Sequence, residues 1–205
     1  NHGSNDFWVV KTDAAGVLQW QKCYGGTSQD IARSIQPTSD GGYIICGGTG
    51  SSDGDVTGYK GSNDIWVIKI NATGTIGWQK CLGGAHIDEG YKAIQTADGG
   101  YMVGGYSSVG GGDITGNHGI EDFWVVRLDA SGTIVWQKSL GGPGEDRAYA
   151  MDLTSDGGCV IAGYTTSTSG DITSNAGYQD CWIVKVSSTG SMDWQKTIGG
   201  SFDEQ

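Results

Sequence analysis

The chain has 205 residues, of which 38 are Gly and only 2 are Pro, and its formal net charge is −11. Glycine at this density without a three-residue period excludes collagen, and an interior Gly costs about 0.5–1 kcal/mol relative to Ala, which disfavours helices. Eight Trp and nine Tyr argue against disorder, and the acidic balance disfavours nucleic acid and anionic membranes as partners.

The predicted elements begin after a polar opening, Asn1-His2-Gly3-Ser4, that carries no signal-peptide pattern and suits a mature or truncated product. Residues 7–11 form a short run of β-formers. A turn follows at Asp13-Ala14-Ala15-Gly16, where the Asp side chain can bond the turn backbone and Gly can take positive φ. The second strand is predicted over 17–22, alternating around Trp20, and the third over 32–36. Asp40-Gly41-Gly42 is a strong hairpin signal leading to a fourth strand over 43–47. A polar loop rich in Gly, Ser and Asp then runs from 49 to 63.

The same order recurs with a period of 58 residues. Trp8, Trp66, Trp124 and Trp182 share one position, and Trp20, Trp78, Trp136 and Trp194 share another. Gly25-Gly26, Gly83-Gly84, Gly141-Gly142 and Gly199-Gly200 keep step, as do Asp40, Asp98 and Asp156 with their following glycines. The segment around Ile35, Ala93 and Met151 matches least well. Four short antiparallel strands per repeat give an all-β chain whose unit reads as a β-propeller blade. The tryptophans are then expected in the inter-blade core. Lys11, Lys69, Arg127 and Lys185 should serve solvated strand faces or local ion pairs.

The run Asp40-Gly41-Gly42-Tyr43-Ile44-Ile45-Cys46-Gly47-Gly48, followed by Asp64-Ile65-Trp66-Val67-Ile68-Lys69 and then Trp78, resembles a kelch-type blade. The whole unit resembles the tandem propeller-like repeats of secreted and cell-surface bacterial proteins frequent in Bacteroidota. That resemblance covers the entire chain and implies architecture and an extracellular or cell-surface location. The kelch-like phase divides the single repeat domain into a partial blade 1–39, blades 40–97 and 98–155, and a partial blade 156–205. That division leaves two strands too few for four blades. The expectation is a fragment or part of a longer array, with six to eight blades in the full ring.

Five cysteines (23, 46, 81, 159 and 181) form no CxxC pair and are odd in number, so buried free thiols are expected. No apolar run approaches the roughly 20 residues of a membrane-spanning helix. The acids are placed in step. Asp64, Asp122 and Asp180 precede one strand, and Asp30, Asp88 and Asp146 follow the Gly-Gly pair. With His86 and His118 they put candidate binding residues on one long, acidic loop face, since loops on a rigid scaffold often carry binding. Asp53, Asp55, Asp113 and Asp171 are the residues that would suit Ca²⁺, although EF-hand spacing is missing and Asx-turns are the plainer reading. No other cofactor is evident.

Enzyme signatures are poor. There is no Walker loop and no Rossmann fingerprint, and His86-Ile87-Asp88-Glu89 lacks the second ligand of a helical zinc motif. The expectation is a non-enzymatic binding or adhesion scaffold for a glycan or surface protein. The alternatives are a polysaccharide-active enzyme whose site lies in other blades, and a passive spacer in a surface filament.

Overall fold

A computed structural model of the chain describes residues 2–202. Among them are fourteen strands and no helix. They are β1 (Phe7–Thr12), β2 (Leu18–Tyr24), β3 (Asp30–Pro37), β4 (Tyr43–Thr49), β5 (Asp64–Ile70), β6 (Ile76–Leu82), β7 (Asp88–Gln95), β8 (Tyr101–Ser108), β9 (Glu121–Leu128), β10 (Ile134–Leu140), β11 (Asp146–Leu153), β12 (Cys159–Thr165), β13 (Asp180–Val186) and β14 (Met192–Ile198). They form three four-stranded antiparallel sheets, β3–β6, β7–β10 and β11–β14, and a two-stranded sheet, β1–β2.

This grouping starts one strand earlier than the expected units 40–97 and 98–155. The Asp-Gly-Gly turn is the reason. Thr38 N–H donates to Gly42 O and Gly41 N–H to Thr38 O, both at 2.9 Å, with Gly41 at a φ of 79°. That turn closes β3 and β4 into one hairpin, and Thr96–Gly100 and Thr154–Gly158 repeat it. The Gly83-Gly84 link instead crosses to the next sheet, where Asp88 N–H donates to Asn63 O at 2.8 Å. The long loops join β4 to β5, β8 to β9 and β12 to β13, which are paired neighbours within each sheet.

Each first strand carries a bulge. The β3–β4 register shifts between Ala32 and Ser34, leaving Arg33 without a ladder partner. Tyr91 and Tyr149 occupy the same place in β7 and β11. Bulges bend an edge strand and re-aim the side chain they carry.

The core consists of apolar clusters between consecutive sheets. Phe7, Val9 and Tyr24 face Trp66, Ile68 and Ile70. Ile65, Val67 and Leu82 face Trp124, Val126 and Leu128, and Phe123, Val125 and Leu140 face Trp182, Val184 and Val186. Trp66, Trp124 and Trp182 are fully buried, which removes about 5 kcal/mol worth of apolar surface each. Their indole N–H groups donate to Gln79, Gln137 and Gln195 at 2.6–2.9 Å, so no buried donor is wasted. Trp8 differs: it is 65% exposed, because no sheet packs on that side of β1–β2. Trp20, Trp78 and Trp136 are half-buried, and Trp194 is exposed.

The basic residues at the ends of the central strands make local ion pairs. Lys69, Arg127 and Lys185 are buried and reach Asp40, Asp98 and Asp156 of the hairpin turns at 2.8, 2.6 and 2.9 Å. The Lys69 hydrogen bond holds the Asp40 carboxyl well below the usual range. All five cysteines are free thiols; Cys46, Cys81 and Cys159 are buried and Cys23 and Cys181 are half-buried. Among the described residues no helix is long and apolar enough to cross a membrane.

Candidate functional site

The acidic loop residues do not form a ligand-facing surface. Asp30, Asp64, Asp88, Asp122, Asp146 and Asp180 are all buried. Their carboxylates cap the connections between sheets and the long loops within them. Asp30, Asp88 and Asp146 accept the N–H of Gly26, Gly84 and Gly142 at 2.7–2.8 Å. Asp64, Asp122 and Asp180 accept the N–H of Lys60, His118 and Ala176 at 2.8 Å. The sequence reading put these acids on loops and took them as exposed; they are the first or second residues of β3, β5, β7, β9, β11 and β13. An Asp that bonds backbone N–H groups within a packed turn is drawn inside.

Burial makes Asp64, Asp88, Asp122 and Asp146 weaker acids. It pushes Asp64 up to about 6, Asp88 up to about 7 and Asp122 up to about 6, and it raises Asp146. Crowding adds to it: a Cβ on Gly83 would sit 2.4 Å from Asp88 Oδ2 and 3.0 Å from Asp64 Oδ1, so both carboxylates crowd the same glycine. His118 Nδ1 lies 3.0 Å from Asp122 Oδ2, while His86 is exposed.

The four residues considered for Ca²⁺ are divided among three connections. Asp55, Asp113 and Asp171 accept the N–H of Gly25, Gly83 and Gly141 at 3.1–3.3 Å. Asp113 also pairs with Lys60 at 3.0 Å. Asp53 caps Thr27, accepting its N–H at 2.8 Å and its hydroxyl at 2.9 Å. Among the described residues no three His, Cys, Asp or Glu side chains converge in a metal-holding group.

A different cluster stands where the repeats diverge. Arg33, Tyr91 and Tyr149 share one repeat position, the bulge, yet differ in chemistry. So do Ile31, Glu89 and Arg147, and Gly48, Tyr106 and Tyr164. The bulges line these side chains up across three sheets. The Arg33 guanidinium lies 4.5 Å from the Tyr91 ring centroid, and Tyr91 meets Tyr149 edge-on at 4.9 Å. Tyr106 and Tyr164 back the row at 6.1 and 6.0 Å. Arg147 lies over Tyr106 at 5.2 Å.

Carboxylates fix both cations. Arg33 donates twice to Glu89 Oε2, at 2.9 and 3.1 Å, and Arg147 donates to both oxygens of Glu121. The bond to Glu121 raises the Arg147 guanidinium further, and burial pushes the phenols of Tyr91, Tyr106 and Tyr164 up, so all stay in their ordinary charge states at neutral pH. Tyr149 and Arg33 are the exposed members; Tyr149 is 43% accessible. The row presents a rigid aromatic edge with donors from Arg33 and acceptors from Glu89 and Glu145. It contains no nucleophile paired with a base. Its sequence signal was the poorly matching segment around Ile35, Ala93 and Met151, which is the stretch that holds these positions.

No protein-family model matches the chain. It is 26% identical over 165 residues to the regulatory protein FlaEY of Caulobacter vibrioides, a match that covers 75% of this chain and 17% of that protein. It is also similar to a crystal structure of a protein of unknown function from Bacteroides caccae, at 13% identity and a TM-score of 0.25, covering 96% of this chain and 91% of that one.

Proposed function

We propose that the chain is a non-enzymatic binding scaffold, an arc of a kelch-like β-propeller acting outside the cell, and that its binding surface is the Arg33–Tyr91–Tyr149 row. This moves the expected surface from the acidic loops to the bulged edge strands. The supporting observation is one of contrast. Packing residues repeat with the 58-residue period, whereas the bulge is Arg33 in one unit and Tyr91 and Tyr149 in the next two, and the three meet in one row exposed at Arg33 and Tyr149. A packing role would demand sameness in every unit; a ligand contact demands a particular asymmetric set.

The ligand class that fits is a glycan. Flat aromatic edges take up sugar rings, and flanking guanidinium and carboxylate groups satisfy hydroxyls. Titrating the protein against a glycan array, with product analysis for turnover, tests the reading. Saturable binding without turnover is expected. Tyr149→Ala should weaken it at least tenfold, which is about 1.4 kcal/mol. The melting midpoint should move little, because the ring is partly exposed and touches only Tyr91 and Tyr164 among the aromatic side chains. Binding that survives Tyr149→Ala and Arg33→Ala together would remove the row from the site.

A further inference from the structure

The middle repeat departs from its neighbours where the link into β7 meets the loop after β8. Ile87 stands where the other repeats have Gln29 and Glu145, and Val109 stands where they have Ser51 and Ser167. Those two serines are caps. Ser51 accepts the N–H of Ser28 at 3.0 Å and Ser167 that of Gly144 at 2.9 Å, and each donates to a buried aspartate at 2.9 Å. Val109 can do neither. Among the described residues it is the only non-glycine at positive φ, 46°, and it is 47% exposed. A β-branched residue in that region is strained, and such strain gathers at ligand clamps. Ile87 is also 47% exposed. The β7–β10 sheet packs between two complete sheets, so both side chains stay open with their neighbours in place.

This apolar pair adjoins the aromatic row. Ser108 N–H donates to Ile87 O at 3.0 Å, which sets Val109 beside Ile87. Asp88 and Gly90 turn inward, so Ile87 and Glu89 share the outer face about 7 Å apart, with Tyr91 next along it. Glu89 therefore lies between the apolar pair and the aromatic ring. It accepts two bonds from Arg33 on Oε2 and one from the Asn63 amide on Oε1 at 3.1 Å. A carboxylate offers about four acceptor sites, so one on Oε1 is left for a ligand.

We propose that the glycan on the row carries an N-acetyl group. The acetyl methyl rests on Ile87 and Val109, the amide N–H donates to Glu89 Oε1, and the sugar ring lies on Tyr91 and Tyr149. The order of the groups selects this class. A deoxy-sugar methyl would use the apolar pair and leave the acceptor idle. A free ammonium would meet Glu89 and gain nothing from Ile87 or Val109. The acetamido group supplies an N–H and a methyl a few bonds apart. This inference rests on the glycan reading of the row and names its ligand class.

The probes are matched trisaccharides of glucose, galactose and mannose, each as parent sugar, amine and N-acetyl derivative, titrated calorimetrically against the full chain. In at least one series the N-acetyl member should bind about tenfold tighter than the other two, as expected for a methyl received by an apolar site. Ile87→Gln and Val109→Ser import residues that the first repeat carries at these places, and melting curves check that both variants fold. Each should cut the N-acetyl preference to about threefold or less. In the unsubstituted protein, nuclear Overhauser contacts should join the acetyl methyl to the Ile87 methyls. Tyr149→Ala should weaken all members of the series alike. Binding without an N-acetyl preference, or a preference untouched by Ile87→Gln, overturns the inference and leaves the glycan reading standing. Binding of no sugar in any series overturns that reading, and the inference falls with it.

Discussion

At the scale of single residues, the buried aspartates make stability depend on pH. Asp88 is faced by Asp64 and Lys60, by the N–H of Gly84 and by its ladder partner Ser107. Its folded-state pKa is raised, so the folded protein binds more protons than the unfolded chain above pH 4. The stability it contributes is fully present below the unfolded value and is lost as pH rises through about 7. Asp64 and Asp122 act in the same direction through about 6. The exposed turn acids Asp40 and Asp156 are lowered instead, and their contribution falls only below about pH 4. Melting midpoints should therefore be higher at pH 5 than at pH 8. While Asp88 alone titrates, the slope is about 1.4 kcal/mol per pH unit at most. Asp88→Asn should flatten the profile between pH 5 and 7; an unchanged profile would show that general charge repulsion, and not these acids, sets it.

At the scale of elements, the hairpins and bulges decide what each glycine tolerates. A Cβ on Gly105 would stand 1.9 Å from the backbone oxygen of Glu89, which belongs to the paired strand and cannot swing away. Gly105→Ala should cost roughly 3 kcal/mol or more. At Gly41 a Cβ would meet nothing within 4 Å, and only its φ of 79° opposes Ala. Gly41→Ala should therefore cost only about 1 kcal/mol. Chemical denaturation of the two variants checks the order. The four strands of each unit and their turns were legible in the sequence, because period-two patterning and turn chemistry are local, whereas all eight tryptophans were expected in the core and only Trp66, Trp124 and Trp182 are fully buried. Strand grouping was not. A periodic sequence has no intrinsic first strand, and the sheet boundary falls wherever a connection fails to close a hairpin. The kelch-like phase cut at Asp40, inside a turn that closes a hairpin.

At the scale of the molecule, stability is carried by a succession of similar contacts between sheets, in the manner of repeat arrays. Trp124→Ala removes a side chain buried between two complete sheets and should cost about 3–5 kcal/mol. Trp8→Ala removes the same residue type from an exposed position and should cost under about 1 kcal/mol. Equal losses would mean that Trp8 is covered in solution. The candidate site was legible only in outline at this scale. The poor match around Ile35 marked where the units differ, but only the stacking of sheets brings Arg33, Tyr91 and Tyr149 side by side. The aspartates misled for the converse reason, since recurrence reflected packing in each of them. The inter-sheet contact is also nearly interchangeable: Phe7 meets Trp66 at 4.7 Å and 53°, and Phe123 meets Trp182 at 4.6 Å and 49°. Ile65 takes the phenylalanine's place against Trp124, and a face this nearly constant would let unequal recombination between gene segments add or drop whole units in register. The array can thus change length over evolutionary time without any single contact having to be reinvented.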